Sequence, residues 1–234
     1  MLQGCKRTTA KNEGFKGGCA FCTDDFINSL SIPESLTKKI GVMLNGSELI
    51  GSGIDLDDKN KQSITERQHD ILRQFFINKK HSPVSLVRIA CHAHEFEDCL
   101  PVASWLNDKG YIVGFNLMQV ADCDELEISH LAKKASQYPL DVLYFADSMG
   151  SLTPKETTKI VQAFQQGWQG ELGIHTHDNM GNALANSLKA VEEGVQWLDA
   201  TGTCRERGTG NCRTEFFALE HTNRTPKYGN TTLL

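Results

Sequence analysis

The sequence predicts an α/β fold with parallel strands, because short β-branched runs alternate with amphipathic helical stretches from Lys39 onward. Six runs have the length and composition of buried strands, and they lie at residues 40–44, 84–91, 112–118, 142–146, 172–175 and 197–200. No linker or break in composition separates residues 39 and 221. We therefore predict one domain at 39–222, preceded by an irregular segment at 1–38 and followed by a polar tail at 223–234.

Helical patterns lie between these runs. The first 38 residues contain one short helix, around 24–30, and Phe96, Leu100, Ala103 and Leu106 mark one helix that ends at Gly110. Apolar residues at 128, 131 and 135 give the next helix. Thr153, Pro154 and Glu156 open a further helix in capping-box form, which ends at Gly167. Residues 183–191 form the inner face of a last helix, which ends at Gly194.

Charge and composition exclude several classes of partner. The net charge of -5 and the scattered basic residues give no field for a nucleic-acid backbone, so we expect no nucleic-acid partner. No stretch reaches the ~20 apolar residues that cross a bilayer, and the N-terminus lacks the apolar core of a signal peptide. A cytoplasmic protein with reduced thiols is expected. The Cys19-Ala20-Phe21-Cys22 spacing has no second ligand pair and does not predict a zinc site.

The strand ends carry the candidate chemistry, because active sites of parallel α/β folds lie at the C-terminal ends of the strands. The C-terminal ends of the runs supply polar side chains, and they are Asn45, Arg88, His92, Asn116, Gln119, Asp147, Ser148, His175, His177 and Thr201, which leads into the loop at 208–211. Residues i and i+2 of a strand point the same way, so His175 and His177 can reach one metal ion. Groups at six successive strand ends converge in a barrel and disperse in an open sheet.

Each of these residues also has a plainer interpretation. His175 and His177 can be hydrogen-bonded surface residues, and Asp147 can hold a loop instead of positioning a substrate. Arg88 can be a structural ion-pair partner. The second His-x-His, at His92, can supply a base or substrate-binding group, or it can be a surface pair before a helix.

Three segments resemble the metal-dependent pyruvate aldolases related to hydroxymethylglutaryl-CoA lyase, most closely the 4-hydroxy-2-oxovalerate aldolase-like group. They are Phe-Ala-Asp-Ser-Met-Gly-Ser at 145–151, Gly-Ile-His-Thr-His-Asp-Asn at 173–179 and Arg-Gly-Thr-Gly-Asn at 207–211. The resemblance runs from about Asn12 to Glu220. It is specific to the superfamily and less specific to the substrate.

The resemblance implies a TIM (β/α)8 barrel that binds Mn²⁺ or Mg²⁺. The ion would be held by His175, His177 and a first-strand aspartate, joined in some branches by the asparagine that matches Asn211. Asn211 can also cap the following helix, and the two roles are compatible. The implied enzyme is a carbon-carbon lyase that cleaves a small 4-hydroxy-2-oxo acid to pyruvate and an aldehyde through a metal-bound enolate. Arg88, His92 and Asp147 are the candidate catalytic residues.

The chain also departs from this family. The family's first strand carries an Asp-Arg-Asp-Gly-Gly type of motif, which is absent here, and Asp24-Asp25 lies in a helix-like context. Counting back from the His-x-His strand as the seventh, the six runs correspond to strands three to eight, so we predict an incomplete barrel that lacks the first two strands. In the segment Thr203-Cys204-Arg205-Glu206-Arg207, charged residues also occur where the family has glycine.

Two alternatives to the aldolase stay open. A condensing enzyme of the isopropylmalate or homocitrate synthase type shares the cation site but needs an acyl-CoA pocket. A non-catalytic truncated remnant is favoured by the absent aspartate ligand, and its open sheet edge would suit pairing with a full-length relative or with a second copy of the chain.

Overall fold

The computed structural model describes residues 6–7, 22–37, 39–50, 63–202 and 210–224. They divide into two compact units, one containing residues up to 117 together with 134–141, and the other containing 118–133 and the chain from 142 onward. The predicted loop at 203–207, the glycines at 208 and 209, the cysteine at 19 and the end of the tail lie outside the described residues. The predicted domain boundaries stay a prediction.

The first unit is built on parallel strands that pair in chain order. They are β1 (Lys6–Arg7), β2 (Gly41–Asn45), β3 (Leu86–Cys91) and β4 (Ile112–Leu117). The helices of this unit are α1 (Asp24–Ser29), α2 (Glu34–Thr37), α3 (Gly46–Ile50), α4 (Glu66–Phe75), α5 (Ala93–Cys99) and α6 (Pro101–Asp108). All six side chains of β3 are buried, as expected for a parallel strand covered on both faces.

The second unit continues the same alternation. Its strands β5 (Val142–Asp147), β6 (Glu171–Thr176) and β7 (Trp197–Leu198) pair in parallel and in chain order. Its helices are α8 (Pro154–Gly167), α9 (Ala183–Glu192) and α10 (Thr214–Arg224), and α7 (Glu125–Ala135) includes residues of both units. Repeated parallel strand-helix units of this kind are those of a (β/α)8 barrel that is incomplete, as the sequence predicts.

All six predicted strands are confirmed within two residues at each end. The structure adds the two-residue strand β1, which the sequence analysis did not predict because a polar Lys-Arg pair has no strand pattern. Arg7 is buried there: its Nη1 donates to the Phe75 carbonyl at 2.8 Å, its Nη2 pairs with Asp24, and its guanidinium lies 5.4 Å from the centre of the Phe76 ring. These contacts anchor β1 without an apolar side chain.

The helix predicted from Phe96 to Leu106 is two helices. Leu100 ends α5 and precedes α6, and Pro101 occupies the first turn of α6. Proline has no N–H to donate and its ring clashes with the preceding turn, so one continuous helix cannot run through it. The other predicted helices are confirmed at Asp24–Ser29, Glu125–Ala135, Pro154–Gly167 and Ala183–Glu192.

Strand β6 packs closely against β5 within the second unit. Tyr144 of β5 lies over Gly173, and a Cβ on that glycine would come within 2.4 Å of the tyrosine ring. Phe145 stacks on Phe164 of α8, with ring centres 5.4 Å apart. The capping box predicted at the start of α8 is present, because Thr153 and Glu156 satisfy each other's backbone N–H groups.

In the part of the chain that the structure describes, no helix is long and apolar enough to cross a membrane. The described cysteines Cys22, Cys91, Cys99, Cys123 and Cys212 are free thiols, as the sequence predicts. Burial raises the pKa of the Cys123 thiol to about 11, with Glu127 adding to the effect, and this keeps it protonated at neutral pH.

Candidate metal centre

His175 and His177 converge at the C-terminal end of β6. His175 is the fifth residue of the strand and His177 is the first residue after it, so strand alternation sends both rings to the same side. Their Nε2 atoms are 3.3 Å apart, and the ring planes are 76° apart. His175 is buried and His177 is half-buried. The structure therefore brings together the two imidazoles that the sequence predicted as a pair.

The spacing of the two nitrogens fits a chelate. Nitrogens that each lie about 2.1 Å from one divalent ion, at angles between 90° and the tetrahedral value, are about 3.0–3.4 Å apart. The observed separation of 3.3 Å lies in this range. Among the residues that the structure describes, no group of three or more histidine, cysteine or acidic side chains is arranged as a metal site. The described part of the chain thus provides a histidine pair at this position.

Asn211 lies beside this pair. It forms an antiparallel bridge with His177, it is buried, and the Asp178 N–H donates to the carbonyl of the preceding Gly210 at 2.8 Å. The φ of +91° at Gly210 is in the left-handed region that glycine adopts without strain. Helix α10 begins only at Thr214, so the alternative reading of Asn211 as the N-cap of that helix is wrong.

Asp147 ends β5 and holds the loop that follows it. Its carboxylate accepts hydrogen bonds from the N–H groups of Ser151 at 3.0 Å and Leu152 at 3.2 Å, and the carboxylate is fully buried. Burial raises the pKa of Asp147, while these N–H groups and nearby His177 act in the opposite direction. Of the two readings of Asp147, this geometry supports the loop-holding role. A role toward substrate stays a prediction.

The loops after β5 and β6 are tied together around the histidine pair. The His177 N–H donates to the Asp147 carbonyl at 3.3 Å, Asn179 Nδ2 donates to the Met149 carbonyl at 2.8 Å, and the N–H of Met180 donates to the Gly150 carbonyl at 3.2 Å. A Cβ at Gly150 would lie 2.7 Å from the Asn179 nitrogen, so the close approach requires glycine. These bonds fix the direction in which His177 leaves the strand.

Asp199 is a site residue that the sequence analysis missed. Its Oδ2 lies 2.8 Å from His175 Nδ1, and it is buried. The predicted strand at 197–200 placed Asp199 inside the strand, whereas β7 ends at Leu198 and Asp199 is the first residue after it. An acidic residue at the end of an apolar run is the sequence feature that could have identified Asp199 as a candidate.

Two predicted catalytic residues belong to the first unit. Arg88 is buried on β3, opposite Met43 of β2 and Gly114 of β4. His92 precedes α5 as its N-cap, and its backbone N–H donates to Glu95 Oε2 at 3.0 Å. The rings of His92 and His94 stack with 6° between their planes, unlike the crossed rings of the β6 pair. Their catalytic roles stay predictions.

The position of the site at the C-terminal ends of parallel strands is typical of α/β proteins, and the (β/α)8 barrels are one class of them. The HMGL-like family model matches residues 74–232, which is more than half of the chain, and the chain therefore belongs to the HMGL-like family. The 4-hydroxy-2-oxovalerate aldolase of Geobacillus thermodenitrificans (strain NG80-2) is 35% identical over 133 residues, which are 56% of this chain and 39% of that protein. The chain spans about two fifths of the length of the curated relatives it matches.

Solved structures support the same fold. The HMG-CoA lyase of Bacillus subtilis has a TM-score of 0.60 and 14% identity, covering 86% of this chain and 67% of that protein. The carboxyl transferase domain of Rhizobium etli pyruvate carboxylase has a TM-score of 0.61 and 19% identity, covering 80% of this chain and 31% of that structure. At these identities the likeness concerns the fold.

Proposed function

We propose that this chain carries the metal-binding part of an aldolase that cleaves a 4-hydroxy-2-oxo acid to pyruvate and an aldehyde. The observation that carries the proposal is the convergence of His175 and His177 Nε2 at the end of β6. Membership of the HMGL-like family and the names of its aldolase relatives support it.

Mn²⁺ or Mg²⁺ would be held by His175 and His177, and Asn211, which forms a backbone bridge with His177, is the candidate for a further ligand. A bound divalent ion supplies a Lewis acid that draws electron density from a 2-oxo acid's carbonyl. Of the two ions, Mn²⁺ is favoured because Mg²⁺ prefers a shell of oxygen ligands and gives up its waters reluctantly. The loop bonds made by Asp147 keep His177 in place.

The proposed cleavage of the 4-hydroxy-2-oxo acid involves no net oxidation or reduction. A base removes the proton from the 4-hydroxyl, the C3–C4 bond breaks, the aldehyde leaves, and C3 keeps the electron pair as an enolate that takes up one proton to give pyruvate. Arg88 is the candidate for the substrate carboxylate, because guanidinium binds carboxylates in a bidentate manner. His92 is the candidate base. Substitution of each, Arg88→Lys and His92→Gln, is expected to lower turnover while the histidine pair still binds Mn²⁺.

The experiment that tests the proposal is exchange of the pyruvate methyl protons for deuterium, followed by NMR with and without Mn²⁺. Exchange reports enolisation and needs no knowledge of the aldehyde. We expect Mn²⁺-dependent exchange that falls at least tenfold in His175→Ala and in His177→Ala. The exposed His130 of α7 supplies a matched control, because His130→Ala removes an imidazole from the same unit without touching the pair.

A second candidate is a non-catalytic binding protein of the same family. It is favoured by one observation: within the described ranges no carboxylate completes a three-residue ligand group with the histidines. A folded chain that binds Mn²⁺ through His175 and His177 but gives no exchange would establish this second function. Exchange that persists in both histidine variants would contradict both candidates.

A further inference from the structure

We infer that Asp199 is a positioning residue that holds His175 as the Nδ1–H tautomer, with the lone pair of Nε2 directed at the ion site. The inference rests on the proposed metal-binding function of the pair. Its basis is the contact of 2.8 Å between Asp199 Oδ2 and His175 Nδ1. Neither the family match nor the named relatives assign a role to this aspartate.

The backbone of β7 places Asp199 at this position. Leu198 pairs with Ile174 in the parallel register of β6 and β7, so the next residue of each strand, Asp199 and His175, are neighbours. The Asp199 N–H donates to the Ile174 carbonyl at 3.0 Å, and this bond fixes the first residue after the strand. Asp199 is only 6% exposed, so bulk water competes little for its carboxylate.

The contact determines the tautomer by donor counting. An ionised carboxylate has only acceptor sites, so the hydrogen between Asp199 and His175 belongs to Nδ1 of the ring. A neutral imidazole carries one N–H, and Nε2 of His175 therefore presents its lone pair. Carboxylates that accept from the second nitrogen of a metal-bound histidine orient the ring and increase its basicity, and their loss weakens metal binding about 10–100-fold.

The test uses the full chain labelled with ¹⁵N-histidine, with long-range ¹H–¹⁵N spectra recorded in the absence of metal. The His175 signals are assigned by their loss in His175→Ala. We expect the Nδ1–H tautomer in the native chain, loss of that preference in Asp199→Ala, and its retention in Asp199→Asn, whose amide oxygen can still accept from Nδ1. Asp122→Ala is the charge-matched control, because Asp122 is exposed and belongs to the same unit.

A second readout is the affinity for Mn²⁺ alone, measured by titration calorimetry. Asp199→Ala should weaken binding about 10–100-fold, Asp199→Asn by less, and Asp122→Ala not at all. Unchanged His175 tautomer in a folded Asp199→Ala chain would overturn the inference, and so would unchanged Mn²⁺ affinity. If Asp199→Ala does not fold, Asp199→Asn decides: an Nε2–H tautomer of His175 in that variant contradicts the inference.

The outcome can be separated from that of the aldolase proposal. A native chain without pyruvate exchange whose His175 tautomer depends on Asp199 would refute the aldolase activity and support the inference. Pyruvate exchange with a tautomer independent of Asp199 would do the reverse.

Discussion

Gly173 shows how one residue sets the position of the histidine pair. The ring of Tyr144 occupies the place where a side chain at position 173 would lie, which brings β5 and β6 into close packing two residues before His175. The sequence Leu-Gly-Ile-His-Thr-His predicted the pair from strand alternation, and the structure supplies the reason for the glycine. The packing of β6 and the position of the histidine pair are thus linked.

Substitution Gly173→Ala should therefore destabilise the chain. The new Cβ would lie 2.4 Å from the tyrosine ring, and overpacking of a filled interior costs about 1–3 kcal/mol. Urea unfolding followed by circular dichroism measures the difference. Gly202→Ala is the control, because a Cβ there meets nothing within 4 Å, and we expect a change of less than about 0.5 kcal/mol. Equal losses in the two variants would contradict the packing argument.

Helix α8 begins at a capping box that responds to pH. Thr153 Oγ1 accepts from the Glu156 N–H, and Glu156 Oε2 accepts from the N–H of Thr153 at 2.8 Å. The hydrogen bonds from the Thr153 side chain and backbone lower the pKa of Glu156 from its ordinary value of 4.5. The stabilisation is therefore complete above the ordinary pKa and is lost as the pH falls through the lowered value.

Removal of the cap should weaken α8 by a measurable amount. Thr153→Ala should lower the free energy of unfolding by about 1 kcal/mol at pH 7, the usual cost of an N-cap hydroxyl. Glu156→Gln keeps an acceptor at the third helical position and has no charge to titrate. The free energy of unfolding of the native chain should fall below pH 4.5 as Glu156 becomes protonated, and Glu156→Gln should lack this contribution to the fall. Urea titrations at several pH values measure the difference. An identical pH profile in the native and Glu156→Gln chains would refute the capping assignment.

What the sequence predicts and what it does not is clear from particular elements. The strands and α8 were predictable because apolar periodicity and capping chemistry act locally, within about ten residues. Strand β1 was not predictable, since Arg7 is held by partners 17 and 68 residues away in the chain. Asp199 was missed for the same reason: its contact with His175 depends on the register between β6 and β7, and the two residues are 24 positions apart in the chain.

The chain has the fold of the HMGL-like family, and its candidate metal site lies in the second unit. The described residues of the proposed site all belong to that unit, as does the loop held by Asp147, and they are His175, His177, Asn211 and Asp199. The chain covers 39% of the aldolase of Geobacillus thermodenitrificans, so the histidine pair has to be tested in this chain and not inferred from the longer protein. Metal binding by the folded chain is the property to measure.

Mn²⁺ should raise the thermal stability of the whole chain if the histidine pair binds it. A ligand that binds only the folded state, at 100 times its Kd, adds about 2.7 kcal/mol of stability. For a chain of 150–250 residues each kcal/mol shifts Tm by about 2–4 °C, which gives a rise of about 5–10 °C. Differential scanning fluorimetry at several Mn²⁺ concentrations measures the shift in Tm. Mg²⁺ at equal concentration should give a smaller shift because Mg²⁺ prefers oxygen ligands.

The double variant His175→Ala with His177→Ala should show no rise in Tm, whereas His130→Ala should behave as the native chain. A rise that survives in the double variant would place the bound ion elsewhere and remove the basis of the proposed site.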